Sequence, residues 1–564
     1  MEKKYVIIMA IAMTMLLSSF AISYLGNEEA DADRTYTLGA GVWDGTVASA
    51  FAGGDGSSDH PYVIETAAQL AYLTQVVNSN ADDTDNGGKF NSSAKYYKLG
   101  EDIYLNDTSG WTSWDENTTG LNDWTPIGSY VSQSTNFVAN FNGNGFAVKG
   151  IYINSAASVQ GLFGWVTGGK IYDLGVEQSF IYSTRSSGND AYVGGIAGSL
   201  NSGSIITNCY NAGTVTSIGN SIGGIAGSLN SGSIKDCYNL GDVTGGSQVG
   251  GIVGYIFGGG SVTGCYNEGT VACSSSGGGI AGNSANTIDG CYNSGSINAS
   301  GGNVGGIVGY LVGNVINCHN TGSVTSIGHK VGGIVGIIQG NSSTSTNNGN
   351  VTNCYNKGDI TGGGDTGGVV GSDNGNYKCT VVNCYNTGNV TGTGGGTYAG
   401  GVIGHVYGDG TGSYVTNTVA NCYNAGTVSG ATGSGGVEGG SSVADHCYFL
   451  KTNDVNSTLS VGAGIETFDD DGNLSGGGTL LAALNNWVDA PTVAARSGVV
   501  YEHWINASFP VFGTEPAGDD PGDSGGPDNG DDPGSNVMLY AAIILLVIIA
   551  AAITIVVLKK KGVI

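Results

Sequence analysis

The feature that most limits what this chain can fold into is a short unit that returns again and again through its middle. From Val193 the sequence reads VGGIAGSLNSGSIITNCYNAGTVTS, and from Ile222 it reads IGGIAGSLNSGSIKDCYNLGDVTG. The first block recurs as VGGIVG at Val249, GGGIAG at Gly277, VGGIVG at Val304 and Val331, TGGVVG at Thr366, AGGVIG at Ala399 and SGGVEG at Ser434. A second block, Cys-Tyr-Asn-x-Gly-x-Val or close to it, follows each first block. Most units are about 28 residues long, the period of a stacked repeat array in which each unit leans on its neighbours. Longer intervals carry Ser/Asn/Gly tracts such as Asn341 to Asn350, which read as loop insertions.

Within one unit the runs Gly195–Ala197, Ser204–Tyr210 and Gly213–Thr216 are short, partly alternating and separated by Gly or Asn. Three short strands per unit suit one coil of a parallel β-helix, with aligned apolar residues stacked at ~4.8 Å. The expected fold is therefore all-β: a right-handed parallel β-helix of about nine or ten coils, roughly 45–50 Å long by that spacing. Gly at fixed places is expected to supply φ > 0 and close backbone approach at the corners. Propeller blades take ~40–50 residues, which these units do not reach. The interior ladder is assigned to Ile196, Ile225, Ile252, Ile280, Ile307 and Ile334, with Cys209, Cys237, Cys265, Cys291, Cys318, Cys354, Cys384 and Cys422 beside them.

At its Gly-Gly-Ile-Ala-Gly step the chain resembles the GLUG-motif family of secreted repeat proteins. Gly161-Leu162-Phe163-Gly164 supplies the family's core literally, and Gly195-Ile196-Ala197-Gly198 and its relatives vary it. Upstream segments are similar to the family's lead-in: Pro61-Tyr62-Val63-Ile64, Tyr97-Lys98-Leu99, Asp102-Ile103-Tyr104-Leu105, Trp124-Thr125-Pro126-Ile127-Gly128 and Phe141-Asn142-Gly143-Asn144-Gly145. The resemblance covers roughly residues 58 to 513. It implies an extracellular β-helix but no single activity, because the motif also decorates large secreted metallopeptidases.

Open stacks expose strand edges, so both ends need covers. Thr66-Ala-Ala-Gln69 is a capping-box start followed by Leu70, Leu73, Val76 and Val77, which predicts a helix over residues 67–78. Leu480 to Val488 reads as a second short helix, and Trp504 with Phe509-Pro510-Val511 as a closing strand.

The two ends of the chain speak to compartment. Lys3 and Lys4 precede an apolar run from Tyr5 to Leu25, the pattern of a secretory signal over residues 1–32, cut after Ser23 or after Ala32. An uncleaved anchor is the alternative. Val537 to Leu558 is apolar apart from Tyr540 and Thr554, and Lys559, Lys560 and Lys561 follow it. Twenty-two residues at ~1.5 Å each give roughly 33 Å, enough to span a membrane, and the lysines place residues 559–564 in the cytoplasm. Residues 514–536, rich in Gly, Pro, Ser and Asp, are a solvated acidic linker. Between signal and linker the reading assigns 33–157 to an N-terminal cap and lead-in coils, 158–450 to the repeat β-helix and 451–513 to a C-terminal capping region. The expected location is the cell surface, by a single pass.

The net charge of −27 and three arginines, Arg34, Arg185 and Arg496, exclude a nucleic-acid partner. Nine of eleven cysteines share one repeat position, with Cys273 and Cys379 outside it; stacked thiols all pointing one way favour buried free Cys over disulfides. Tyr210, Tyr238, Tyr266, Tyr292, Tyr355, Tyr385 and Tyr423, with His319 substituting once, directly follow those cysteines. If Cys points in, Tyr points out, so these residues form a candidate ligand-contact stripe that either stacks against sugars or only shields the sheet. Asn211, Asn239, Asn267 and Asn293 read as corner residues bonded to their own backbone.

No catalytic constellation emerges. The adjacent acids Asp82-Asp83, Asp469–Asp471, Asp519-Asp520 and Asp531-Asp532 lie outside the repeats, and neither His-Glu-x-x-His nor Gly-Lys-Ser/Thr occurs. No cofactor or metal is expected, and the chain is not expected to be an enzyme. The leading reading is an adhesin-like ectodomain binding carbohydrate or a surface protein and held to the membrane through Val537 to Leu558. A purely structural envelope component and a polysaccharide-active β-helix enzyme are the alternatives.

Overall fold

The computed structural model describes residues 41–512, apart from 186–189, 340–348, 376–378, 396–397, 408–416, 431–432, 441–443, 452–464, 491–500 and 506–509. The signal segment, acidic linker, apolar run and basic tail lie outside the described residues. Among the described residues, no helix is long and apolar enough to cross a membrane. Contacts divide the chain into two compact units, Met1–Pro510 and Val511–Ile564; of the second, the strand Val511–Phe512 is described.

The first unit is mostly β, with long parallel sheets and few helices, the arrangement of a parallel β-helix. One coil runs through Ala197–Asn201 on a first face, Ile205–Thr207 on a second, and Tyr210–Ser217 with Asn220–Gly223 on a third. The first face stacks ten strands and the second thirteen. The stack therefore extends below the repeats, through Tyr62–Ile64, Tyr96–Leu99 and Asn140–Asn142. A single inward column on the second face passes from Tyr62, Tyr97 and Phe141 through Ile171, Ile206, Ile234, Val262, Ile288, Val315, Val351, Val381 and Val419 to Ala444. Every member is buried, so the core is one continuous column with aromatic residues at its N-terminal end.

The first strand of a coil starts later than the sequence runs imply, at Ala197 rather than Gly195, because the glycine pair is itself the corner. An added Cβ on Gly194 would lie 2.3 Å from the Ala197 carbonyl oxygen, and one on Gly195 would lie 2.5 Å from Asn211 Oδ1. Neither glycine has positive φ. Close approach, not left-handed backbone, is what the pair supplies. The left-handed turn falls instead on the residue before each Cys: Asn208, Asp236, Gly264, Gly290, Asn317, Asn353, Asn383 and Asn421 all have φ between 50 and 64°. Asn, Asp and Gly are the residues that tolerate that region.

At the N-terminal end, helix α1 (Ala67–Asn78) has the expected reciprocal capping box between Thr66 and Gln69, and it buries Leu70, Leu73, Val76 and Val77. Phe51 packs there against Tyr62, Tyr72, Phe90 and Tyr97. A buried Lys95–Asp83 ion pair, to which Tyr62 also donates, satisfies the polar groups beneath this cluster. At the other end, Ile465–Phe468 pairs in parallel with Cys447–Leu450. Helix α2 (Leu480–Asp489) lies against the side of the stack, its Trp487 packed on Val382 and Ala420. The closing strand foreseen around Trp504 divides: Trp504–Ile505 is one short strand and Val511–Phe512 is another, while Phe509 is outside the described residues.

Candidate functional site

The isoleucines Ile196, Ile225, Ile252, Ile280, Ile307 and Ile334 are fully buried, and each amide donates to the carbonyl of the next at 3.0–3.2 Å. Cys209, Cys237, Cys265, Cys291, Cys318, Cys354, Cys384 and Cys422 form a second buried column, and all eleven cysteines are free thiols. The amides of Cys209, Cys237, Cys265 and Cys291 each lie 3.4 Å from the sulfur of the next coil. Burial pushes the Cys237, Cys384, Cys422 and Cys447 thiols well above their ordinary value, which disfavours the reactive thiolate at those positions.

One position further along the strand, the tyrosines form a ladder. From Tyr210 through Tyr238, Tyr266, Tyr292, His319, Tyr355 and Tyr385 to Tyr423, ring centroids are 4.7–5.1 Å apart and planes lie within 7°. Each ring face is thereby covered by the ring above or below it. The first ring is closed off as well, since a Cβ on Gly175 would lie 2.5 Å from the Tyr210 ring. A sugar that stacks on an aromatic needs an open face, and this stripe presents ring edges and hydroxyls instead. Burial raises the phenols of Tyr238 and Tyr266 above their ordinary value, so they stay protonated and able to donate. The Tyr210 hydroxyl binds Glu177, which pairs with Lys149 at 3.1 Å, and Lys149 reaches Asp102 at 2.9 Å.

The asparagines after the tyrosines point inward and are buried. Asn211, Asn239, Asn267, Asn293, Asn320, Asn356 and Asn386 each donate to the side-chain oxygen of the next coil's Asn at 2.7–2.8 Å, ending on Asn424. The same nitrogens donate to the carbonyl two residues on, as Asn211 does to Gly213 at 2.8 Å. The second glycine of each pair backs onto this ladder: a Cβ on Gly224, Gly251, Gly279 or Gly401 would lie 2.2–2.3 Å from the Asn side chain. The two sequence blocks are therefore one structural feature, a buried amide column and the glycines that make room for it.

The tyrosine stripe has two different stretches. Tyr210, Tyr238, Tyr266, Tyr292 and His319 are half-buried, whereas Tyr355, Tyr385 and Tyr423 are buried. The C-terminal segment lies over the second stretch. Trp504 packs on Tyr385 and Tyr423 at 5.8 and 5.6 Å, and the Tyr423 hydroxyl donates to the Pro510 carbonyl at 2.5 Å. Trp504 Nε1 donates to Asn383 Oδ1 at 2.8 Å, Asn383 Nδ2 to the Glu502 carbonyl at 3.0 Å, and the Glu502 amide to Asn353 Oδ1 at 3.3 Å. These asparagines belong to a second, outward amide ladder, Asn421 to Asn383 to Asn353 to Asn317, with bonds of 2.7–3.0 Å. Beside them, the outward residue two before Cys is Val382 or Ala420 under the cover, but Thr207, Lys235, Thr263 and Asp289 in the open coils.

Stacking also gathers polar residues that lie too far apart in sequence to be grouped there. The Tyr407 hydroxyl donates to Asp365 Oδ2 at 2.6 Å, His405 Nδ1 lies 3.8 Å from the same oxygen, and the Tyr407 amide donates to buried Asp373 at 2.6 Å. Asp365 and Asp373 are single acids set among Gly, Ser and Thr, and His405 lies 32 residues beyond Asp373, so no local cluster announces the group. Among the described residues, no three His, Cys, Asp or Glu side chains stand together as a metal site. At the N-terminal end, Trp43, Tyr104 and Phe146 line a groove of about 470 Å³ with Asp44, Glu65, Glu101 and Asp102. Sequence reading singled out none of these as ligand contacts, because they come from four separate lead-in segments.

Residues 245–272 match the GLUG motif. A Gly-rich membrane protein of Evansella cellulosilytica, so named provisionally, is 30% identical over 152 residues, which are 27% of this chain and 14% of that relative. A solved structure from Bacteroides ovatus, provisionally called an immunoglobulin A1 protease, aligns over 82% of this chain and 95% of its own at 20% identity and a TM-score of 0.34. Residues 245–272 thus carry the GLUG motif, and the units stacked above and below them repeat the same two blocks.

Proposed function

We propose that this is a membrane-anchored cell-surface protein whose β-helix is an adhesin-like ectodomain for a carbohydrate or protein ligand, and that it performs no catalysis. The anchor in this reading is Val537 to Leu558, with the acidic linker holding the stack away from the membrane and the lysines on the cytoplasmic side. The name of the Evansella relative, a membrane protein, supports envelope association. The observation that carries a binding role is the contrast along the stripe. The coils from Tyr210 to His319 keep half-buried aromatic edges and polar flanks, while the chain covers the later coils with its own segment.

A second reading, a structural envelope component, draws support from the ring faces, all used in stacking within the ladder. The two separate in one experiment. The protein is presented to a glycan array and to surface-protein extracts beside Tyr238→Ala and Tyr266→Ala. Saturable binding weakened by either substitution supports contact through the stripe. Saturable binding that both variants retain places the contact elsewhere, and no binding leaves the structural role.

A further inference from the structure

We infer that the groove at the N-terminal end of the stack is a saccharide-binding site for a neutral or amino sugar, not an acidic one. The inference rests on the ligand-binding reading above and moves the contact away from the tyrosine stripe.

The groove differs from the stripe in how its aromatic rings are arranged. Trp43 meets Trp124 edge-to-face, at 5.9 Å and 70°, rather than lying in a parallel ladder. Its placement is fixed before any ligand arrives. The Trp43 amide donates to the Tyr104 carbonyl at 3.0 Å, its carbonyl accepts from Asn122 Nδ2 at 2.7 Å, and its Nε1 donates to the Thr46 carbonyl at 2.7 Å. Ile103 is buried beneath, and Tyr104 and Phe146 are half-buried beside it. This gives a rigid apolar floor for the C–H face of a sugar ring.

The rim supplies acceptors. Asp44, Glu65 and Glu101 are exposed, and Asp102 is partly so. Carboxylates accept hydrogen bonds from hydroxyl and ammonium groups but offer no donor to another carboxylate. The nearby cation, Lys149, lies over the Tyr104 ring at 5.6 Å and is already held by Asp102 and Glu177 at 2.9 and 3.1 Å. A uronate entering the groove would therefore meet like charge without compensation. A volume of about 470 Å³ falls in the range of small-molecule sites, ~300–1,000 Å³.

The test titrates the full chain with a β-1,4-glucosamine tetramer, its N-acetylated counterpart and a hexuronate tetramer, following tryptophan fluorescence and heat. Binding of either of the first two, with a Kd raised tenfold or more by Trp43→Ala and by Glu101→Gln and unmoved by Tyr266→Ala, is the expected result. Glu101 is exposed and Gln keeps its shape, so Glu101→Gln keeps the test meaningful if Trp43→Ala fails to fold. Sugar binding that both groove variants retain overturns the groove while leaving a ligand-binding ectodomain in place. Uronate binding as tight as the amino sugar's, or no sugar binding by a chain that still captures a surface protein, overturns the saccharide assignment and leaves the broader reading standing.

Discussion

Tyr266 and Tyr385 occupy the same place in their coils and have a stacked ring above and below at nearly the same distance, yet one is half-buried and the other has no exposed surface. The difference comes from the C-terminal segment, and the flanking columns differ to match. Where Trp487 and Trp504 lie, the stack presents Val382, Ala420 and a row of amides; where nothing of the described chain lies, it presents Lys235 and Asp289. A repeat fold thus conserves its interior along its whole length while its outside is specified coil by coil.

Four experiments break or sharpen that contrast. Trp504→Ala has the largest expected effect, about 3–5 kcal/mol of local stability as for other buried tryptophans. Hydrogen exchange should then rise in Leu480–Asp489 and around Tyr385 while the coils from Tyr210 to Tyr292 stay unchanged; equal loosening of both stretches would show that the cover is not a separate element. Next, Tyr385→Ala should cost about 3 kcal/mol by chemical denaturation and Tyr266→Ala about 1, since only the first ring is wholly removed from water. Equal costs would mean that stacking within the ladder, not the cover, carries the energy.

Smaller again, Asn383→Ala orphans the Trp504 indole N–H and the Glu502 carbonyl and should cost about 1–3 kcal/mol. Asp236→Ala, at the equivalent open position, meets the same left-handed backbone but orphans no buried partner, and should cost only that backbone share, about 1 kcal/mol. Last, the buried thiols should ignore the contrast. At pH 8 a maleimide should label neither Cys237 nor Cys384 in the native chain, because burial holds both thiols protonated, and should label both after unfolding. Preferential native labelling of Cys384 or Cys237 would show that the core is not continuous across the two stretches.

Much of this was legible in the order of residues. The Thr66–Gln69 capping box specifies its helix locally, within four residues, and the period of the Cys-Tyr-Asn block places its columns because a regular spacing can stack in only a few ways. What stayed hidden depends on partners brought together by the completed stack. Trp504 and Asn383 are 121 residues apart, and nothing near either announces the other. The buried role of Asn211 was missed because Asn is equally at home in exposed turns; only the glycine of another block, Gly195, leaves the space its side chain fills. The sequence left two uses of the stripe open, sugar stacking and shielding of the sheet, because the spacing of its rings, 4.7–5.1 Å, exists only in the completed stack.

The coils also differ in where they absorb extra length. From the left-handed residue before Cys to the buried asparagine two residues after it the spacing never changes, because a left-handed turn, a buried sulfur and a buried amide column must all stay in register. The added residues of the longer units fall largely between the first-face and second-face strands, as from Ile338 to Gly349 and from His405 to Thr418. That one vertex is therefore a natural port for grafting. Foreign peptides can be displayed there in parallel rows, one per coil, while duplication or loss of whole units lengthens or shortens the support without rewriting it.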